Sequence, residues 1–248
     1  MKKTGILLTF AATLAIGAVL LPQPQANAAQ TCIQNNGDPG HAIGSFPNKG
    51  NPHSIESQDQ RYCFEQAPTK GSNPTWLNGT IGVALNGIPI RPGTADFYAA
   101  NSRRGFSRDS SSGWRLECMG AADILGMDQN NAHVDHNGIY HYHGVPKGLL
   151  PQVKSSHIGY AADGFEIHYV GTGVKTGYSL KSGTRPSAPG GKYDGLFVED
   201  WEYTGGAGTL DQCNGGMLDG KYVYFATDTY PFFPRCIWGE MGQGFSRG

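Results

Sequence analysis

Asn131-Ala132-His133-Val134-Asp135-His136-Asn137-Gly138-Ile139-Tyr140-His141-Tyr142-His143-Gly144 is the stretch from which the rest of the chain can be read. It holds four of the eight histidines. Asn137-Gly138 is the strongest short signal for a two-residue hairpin turn, because both central residues need positive φ, which Asn and Gly tolerate best. The flanks then read as antiparallel strands, His133 to His136 and Ile139 to His143. With a two-residue turn, His136 faces Ile139, Asp135 faces Tyr140 and Val134 faces His141. Side chains alternate along a strand and agree across a pair. Val134, His136, Ile139, His141 and His143 therefore share one face in this register, and His133, Asp135, Tyr140 and Tyr142 share the other.

Three imidazoles on one sheet face, two of them spaced His-x-His, make the start of a metal site, and imidazole suits Zn, Cu, Fe and Ni. A one-residue change in the turn reshuffles the flank and brings in His133 or Asp135 instead. The expected ligands are therefore His141 and His143, with the third open between His136 and His133. The bland alternative is a pair of exposed hairpin histidines without a partner. Four histidines, an Asp and two Tyr packed this densely favour the site.

The segment Ile139-Tyr140-His141-Tyr142-His143-Gly144 resembles the signature of the YHYH-domain proteins. So do Ile158-Gly159-Tyr160-Ala161-Ala162-Asp163-Gly164-Phe165, Asp200-Trp201-Glu202-Tyr203-Thr204, Leu210-Asp211-Gln212-Cys213-Asn214-Gly215 and Tyr224-Phe225-Ala226-Thr227-Asp228-Thr229-Tyr230-Pro231. The resemblance runs from about Gly79 to Gly239. It departs after Phe165, where an Ile-Tyr-Gly ending is expected and Glu166-Ile167-His168-Tyr169 stands. It implies a fold and a metal-type site, and it hands over no reaction.

Three segments are expected. Residues 1–28 read as a secretory signal peptide: Lys2 and Lys3, an apolar core from Ile6 to Leu21, and the A-x-A site Ala26-Asn27-Ala28. Residues 29–73 read as an irregular N-terminal arm, polar and rich in Gly, Pro and Asn. Residues 74–248 read as the β domain. Removing the leader leaves 17 basic and 20 acidic residues, a formal charge of −3, with no basic excess to drive nucleic-acid or anionic-membrane binding. No later run approaches the roughly 20 apolar residues of a membrane span. The expected place is secreted or periplasmic.

All five cysteines, Cys32, Cys63, Cys118, Cys213 and Cys236, follow the leader. An oxidising compartment permits disulfides. The favoured pairs are Cys32 with Cys63 and Cys213 with Cys236, which leaves Cys118 as a buried thiol, an intermolecular bridge or a soft metal ligand.

Thirty-seven Gly, fifteen Pro and many aromatics fit a turn-rich, mostly β chain, a sandwich or partly closed barrel with long loops and few short helical turns. Ile81 to Ile90 reads as strand, Asn-Gly turn, strand, with Pro89 suggesting an edge. Ser102 to Gly113, with Arg103, Arg104 and Arg108, reads as a solvated loop, and His41 and His53 as exposed loop histidines. Leu196 to Tyr203 alternates as a strand. Glu166 and His168 share a face, either towards solvent or as the far wall of the histidine site.

Function reads three ways. The first is an exported metal-binding β protein, with Cu or Zn handled or used in a reaction by His141, His143 and His136 or His133. The second is a non-catalytic binding or adhesion module whose histidine hairpin is structural. The third is a hydrolase or lyase acting on surface polymers. Asp163, Glu166, Asp200 and Asp211 are carboxylates able to orient histidines or act as a base. No Gly-x-Ser-x-Gly nucleophile elbow is present. The chain names no substrate, small molecule or polymer.

Overall fold

A computed structural model describes Met1 and residues 29–246; the expected leader, residues 1–28, lies almost wholly outside them. Sixteen strands are present among the described residues. The first seven are β1 (Gln30–Asn35), β2 (Gln60–Glu65), β3 (Thr75–Trp76), β4 (Gly82–Ala84), β5 (Pro89–Ile90), β6 (Phe97–Tyr98) and β7 (Phe106–Ser107). A single helical turn, α1 (Ala122–Leu125), precedes β8 (Ala132–Val134) and β9 (Tyr140–Tyr142). Then come β10 (His157–Ala161), β11 (Glu166–Tyr169), β12 (Tyr178–Leu180), β13 (Trp201–Tyr203), β14 (Gly215–Leu218), β15 (Lys221–Ala226) and β16 (Cys236–Ile237).

Eight of these strands form one sheet in the order β14-β15-β11-β10-β4-β5-β9-β8. The pairs β11–β15 and β5–β9 are parallel and the rest antiparallel. Four two-stranded ribbons, β1–β2, β12–β13, β16–β3 and β6–β7, complete the pairing. The chain is mostly β, with long connections and few helical turns, and no pairing joins β14 to β8 to close a barrel.

Alternation decides what each face of the sheet meets. Ala132, Val134, Tyr140, Tyr142, Ile90, Ala84, Ile167, Tyr224 and Ala226 point to one face and enter the main core. Their neighbours point to the other. There Val83 packs with Tyr62 and Phe64 of the β1–β2 ribbon, and Val223 and Phe225 pack with Leu210. A register shift between His157 and Gly159 lets both Ile158 and Gly159 serve the core side before Tyr160 turns away. His141 and His143 alternate with Tyr140 and Tyr142, so the tyrosines go into the core and the histidines go to the opposite face.

The arm is more ordered than its composition suggests. Cys32 and Cys63 pair across β1–β2 in register and are joined as a disulfide, and Cys213 is joined to Cys236. Both expected bridges are therefore present, and Cys118 is a free, buried thiol. Each loop, 31 and 23 residues, restrains the unfolded chain by about 3–4 kcal/mol on the loop-closure model. From the same arm, the Asn51 side-chain amide donates to Val134 O (2.8 Å), Glu56 N donates to Gly138 O (3.0 Å), and His41 Nε2 bonds the Tyr142 hydroxyl (2.6 Å). His41 and His53 are half-buried rather than exposed, because the arm lies along the histidine hairpin.

Two strand expectations change. Pro89 sits in an interior strand, not at an edge. Its missing N–H is harmless because Arg91 N donates the bond to Tyr142 O on β9 (2.9 Å). Leu196 to Tyr203 is not one strand: Val198–Asp200 is a 3-10 turn and only Trp201–Tyr203 is extended. The cause is Asp200, wholly buried, whose carboxylate accepts from Gly195 N and Phe197 N and from Arg185. These bonds curl the chain around the carboxylate. No helix among the described residues is long and apolar enough to cross a membrane.

Candidate metal centre

The hairpin forms where expected, but in another register. Ala132 pairs with Tyr142, His133 with His141 and Val134 with Tyr140. Asp135 N donates to Ile139 O, and Gly138 N donates to Asp135 O. The loop is thus three residues, His136-Asn137-Gly138, with Gly138 at φ 72°, which is a type I turn closed by a left-handed glycine. Asp135 is the reason. Its Oδ1 accepts from Asn137 N (2.8 Å) and Ile139 N (3.0 Å), which holds Asn137 out of the left-handed region.

The one-residue change flips the first strand relative to the second. Val134 leaves the histidine face for the core, and His133 takes its place. His133, His141 and His143 come together as a triangle of rings, with centroids 4.8, 4.7 and 4.6 Å apart. One ligand nitrogen from each lies within 4.8 Å of the others. His136 stays exposed and outside this group, at the tip of the loop. Cys118 and Asp135 are also outside it.

The hydrogen bonds sort the ring nitrogens. His133 Nδ1 bonds Leu125 O and His141 Nδ1 bonds Ile139 O, both at 2.9 Å. A carbonyl accepts, so each Nδ1 carries the proton and each Nε2 presents its lone pair, the arrangement that orients metal-bound histidines. His143 is 2% exposed, and neither of its ring nitrogens makes a hydrogen bond of good geometry, the Arg91 backbone offering only a weak one that slightly favours the charged ring. Burial pushes the His141 and His143 imidazoles well below their ordinary pKa, helped by their neighbours: His143, His133 and Arg91 act on His141, and His133, Arg91 and Arg235 on His143. Burial also lowers His133, against a smaller pull from the Leu125 carbonyl. All three are held neutral, the form that binds metal. A tetrahedral ion at about 2.0–2.1 Å from each nitrogen needs them about 3.4 Å apart, so small side-chain rotations close the triangle.

Around the triad lies a cleft of about 380 Å³. The hairpin contributes His133, Asp135, His136, His141 and His143 to its lining, and the arm contributes Asn51 and His53. Arg91, Asp96, Arg104 and Arg108 come from β5 and the β6–β7 region. Arg91 is tied to Asp135 Oδ2 (2.6 Å) and to Thr80 Oγ1 (2.9 Å). Burial would raise the Asp135 carboxyl, but the Arg91 bond and the Ile139 amide more than offset it and hold it below the usual range.

The other candidate carboxylates lie elsewhere. Asp163 accepts from the Tyr224 hydroxyl and Gly239 N, Asp211 from Trp238, Tyr222 and Lys70, and Asp200 from Arg185. Glu166 bonds His168 Nε2 (2.7 Å), and His168 stacks on His157 at 5.3 Å. This pair is on the histidine side of the sheet, but β11 and β9 are four strand positions apart, about 19 Å. It is therefore no wall of the triad. A larger hollow of about 620 Å³ opens beside Tyr160, Glu166 and Tyr222, and none of the triad lines it. Sequence reading missed Arg91, Arg104 and Arg108. The only local signal was the basic character of 103–108, which reads equally well as solvated loop.

The family model for YHYH protein matches residues 61–239, well over half of the chain. The chain belongs to the YHYH family. The tetrapeptide of that name is β9 with its following residue: Tyr140 and Tyr142 anchor the strand, and His141 and His143 are two of the three clustered histidines. The Tyr140 hydroxyl donates to Asp128 Oδ2 (2.7 Å), and the Tyr142 hydroxyl meets His41 Nε2 and the Asn86 amide (2.9 Å). The YHYH match covers the hairpin, the cleft arginines and both cysteines of the second disulfide. No curated protein and no solved structure is significantly similar to the chain.

Proposed function

We propose that this YHYH protein is an exported metalloprotein with a single transition-metal ion, Zn or Cu, on His133 Nε2, His141 Nε2 and one nitrogen of His143. His136, which sequence alone left as an equal candidate, is not a ligand in this reading. The observation that carries it is His143. An imidazole buried with both nitrogens unpaired costs free energy that a structural role would not leave uncompensated. An ion at the centre of the triad satisfies it. A three-histidine set leaves a coordination position open to the cleft, the style of catalytic rather than purely structural sites. When bound, such an ion polarises an oxygen ligand or lowers the pKa of bound water. The chain holds its three imidazoles neutral and aimed. Two disulfides support export to an oxidising compartment. We read residues 29–73 as an arm serving the domain of 74–248, since it braces the hairpin through Asn51, Glu56 and His41.

The test is elemental analysis of protein purified without chelators or a His-tag, beside the His141→Ala/His143→Ala variant. About one equivalent of Zn or Cu in the wild type and almost none in the still-folded variant supports the reading. No metal in either protein, after reloading with both ions, sinks it and returns the hairpin to the structural reading.

A further inference from the structure

The triad opens into a cleft that contains three guanidinium groups, and these are unequal. Arg91 is committed to Asp135 at 2.6 Å. Arg104 and Arg108 are exposed and join none of the ion pairs among the described residues. Arg104 is held by its place over the Phe106 ring, 4.3 Å from the centroid, and Phe106 is itself buried in the second apolar cluster. Asp96 and Asp135 are the acidic groups of the cleft, so its lining carries one net positive charge before any ion is added. Arg104 and Arg108 thus line the same cleft as the three imidazoles, and neither is paired with a carboxylate there, Asp96 included.

We infer that the cleft binds a small oxyanion, a phosphate- or carboxylate-bearing molecule. Arg104 and Arg108 take its charged group, and one anion oxygen faces the histidine triad. The volume of about 380 Å³ is in the range of small-molecule sites. A planar guanidinium fork matches phosphate and carboxylate geometry. Arg91, fixed by Asp135 and Thr80, is a positioning residue in the lining of the same cleft. The inference rests on the metal reading for the ion that would share the anion, and on the arginines alone for recognition.

The probes are inorganic phosphate and acetate, with glycerol as the neutral control. Each is titrated calorimetrically into wild-type protein of measured metal content, into its chelator-treated form, and into the Arg104→Gln/Arg108→Gln variant. Both substituted positions are exposed, so the variant keeps its metal content and its thermal midpoint. The expected result is binding of at least one anion and none of glycerol, weakening with added salt and roughly 10- to 100-fold weaker in the variant. Preference for phosphate or acetate identifies the head group. Equal anion binding by wild type and variant overturns the inference, as does no anion binding by metal-loaded wild type. If the wild type takes up no metal, the metal reading fails by itself. The chelator-treated titration then decides this one: arginine-dependent binding sustains it, and no binding overturns it.

Discussion

His143 is costly in the metal-free chain, because two ring nitrogens are removed from water and given no hydrogen bond of good geometry in return. That cost makes a sharp prediction. Chelator-treated His143→Leu is at least as stable as chelator-treated wild type in urea, and is favoured by about 1 kcal/mol. With Zn or Cu present the order reverses, because only the wild type gains from binding. A variant that is less stable in both conditions would mean that His143 already has a partner. His143 was legible in the sequence as one half of His-x-His. Its orphaned nitrogens were not, because hydrogen-bond satisfaction depends on what the rest of the chain brings to the ring.

The hairpin is the element on which the site depends, and its loop fixes the register. Gly138 stands at φ 72°, and a Cβ there would approach Glu56 Cβ to 2.6 Å. Gly138→Ala is therefore expected to lose about 1–3 kcal/mol, from the left-handed backbone and the contact together, with weaker metal retention as the triad loosens. Chemical denaturation and metal content check both. Asn137→Ala, by contrast, is expected to change stability by less than about 0.5 kcal/mol, because Asn137 is exposed and outside the left-handed region. A two-residue type I′ turn would have put Asn137 at positive φ as well and made its replacement costly too. The Asn-Gly signal found the hairpin. It could not choose between a two- and a three-residue loop, since Asp135 two positions earlier captures the turn amides and Glu56 arrives from 82 residues away.

At the scale of the molecule, two devices hold the platform. The first is the set of disulfides. Replacing Cys32 and Cys63 together by Ala is expected to cost about 3–4 kcal/mol and to free the arm from the hairpin, read as faster proteolysis between residues 36 and 59. The second is the buried Arg185–Asp200 pair, with Nη2 to Oδ2 at 2.6 Å. Burial would raise the Asp200 carboxyl, but the Arg185 bonds and the Phe197 and Gly195 amides outweigh it and hold it below its usual value. A carboxylate whose pKa is lower folded than unfolded adds stability above the ordinary carboxylate range. That stability is lost as pH falls through the folded value. The wild type should therefore lose stability below about pH 4, while Asp200→Asn starts lower and shows a flatter acid limb in urea titrations at stepped pH.

Local chemistry in the chain determined a good deal. Tyr and His alternate in Tyr140-His141-Tyr142-His143, and a strand must send such a pair of types to opposite faces. Gly and Pro at short intervals made a mostly β chain with long connections, and the two cysteine pairs closest in sequence are the two that join. Tertiary structure decided the rest. A strand has a side-chain period of two, so a slip of one residue exchanges His136 and Val134 for His133, and that slip is set by Asp135, Arg91 and the arm. The cleft arginines, too, are brought to the hairpin by chain folding across tens of residues. No local pattern encodes that meeting, because it depends on which surfaces the core leaves uncovered.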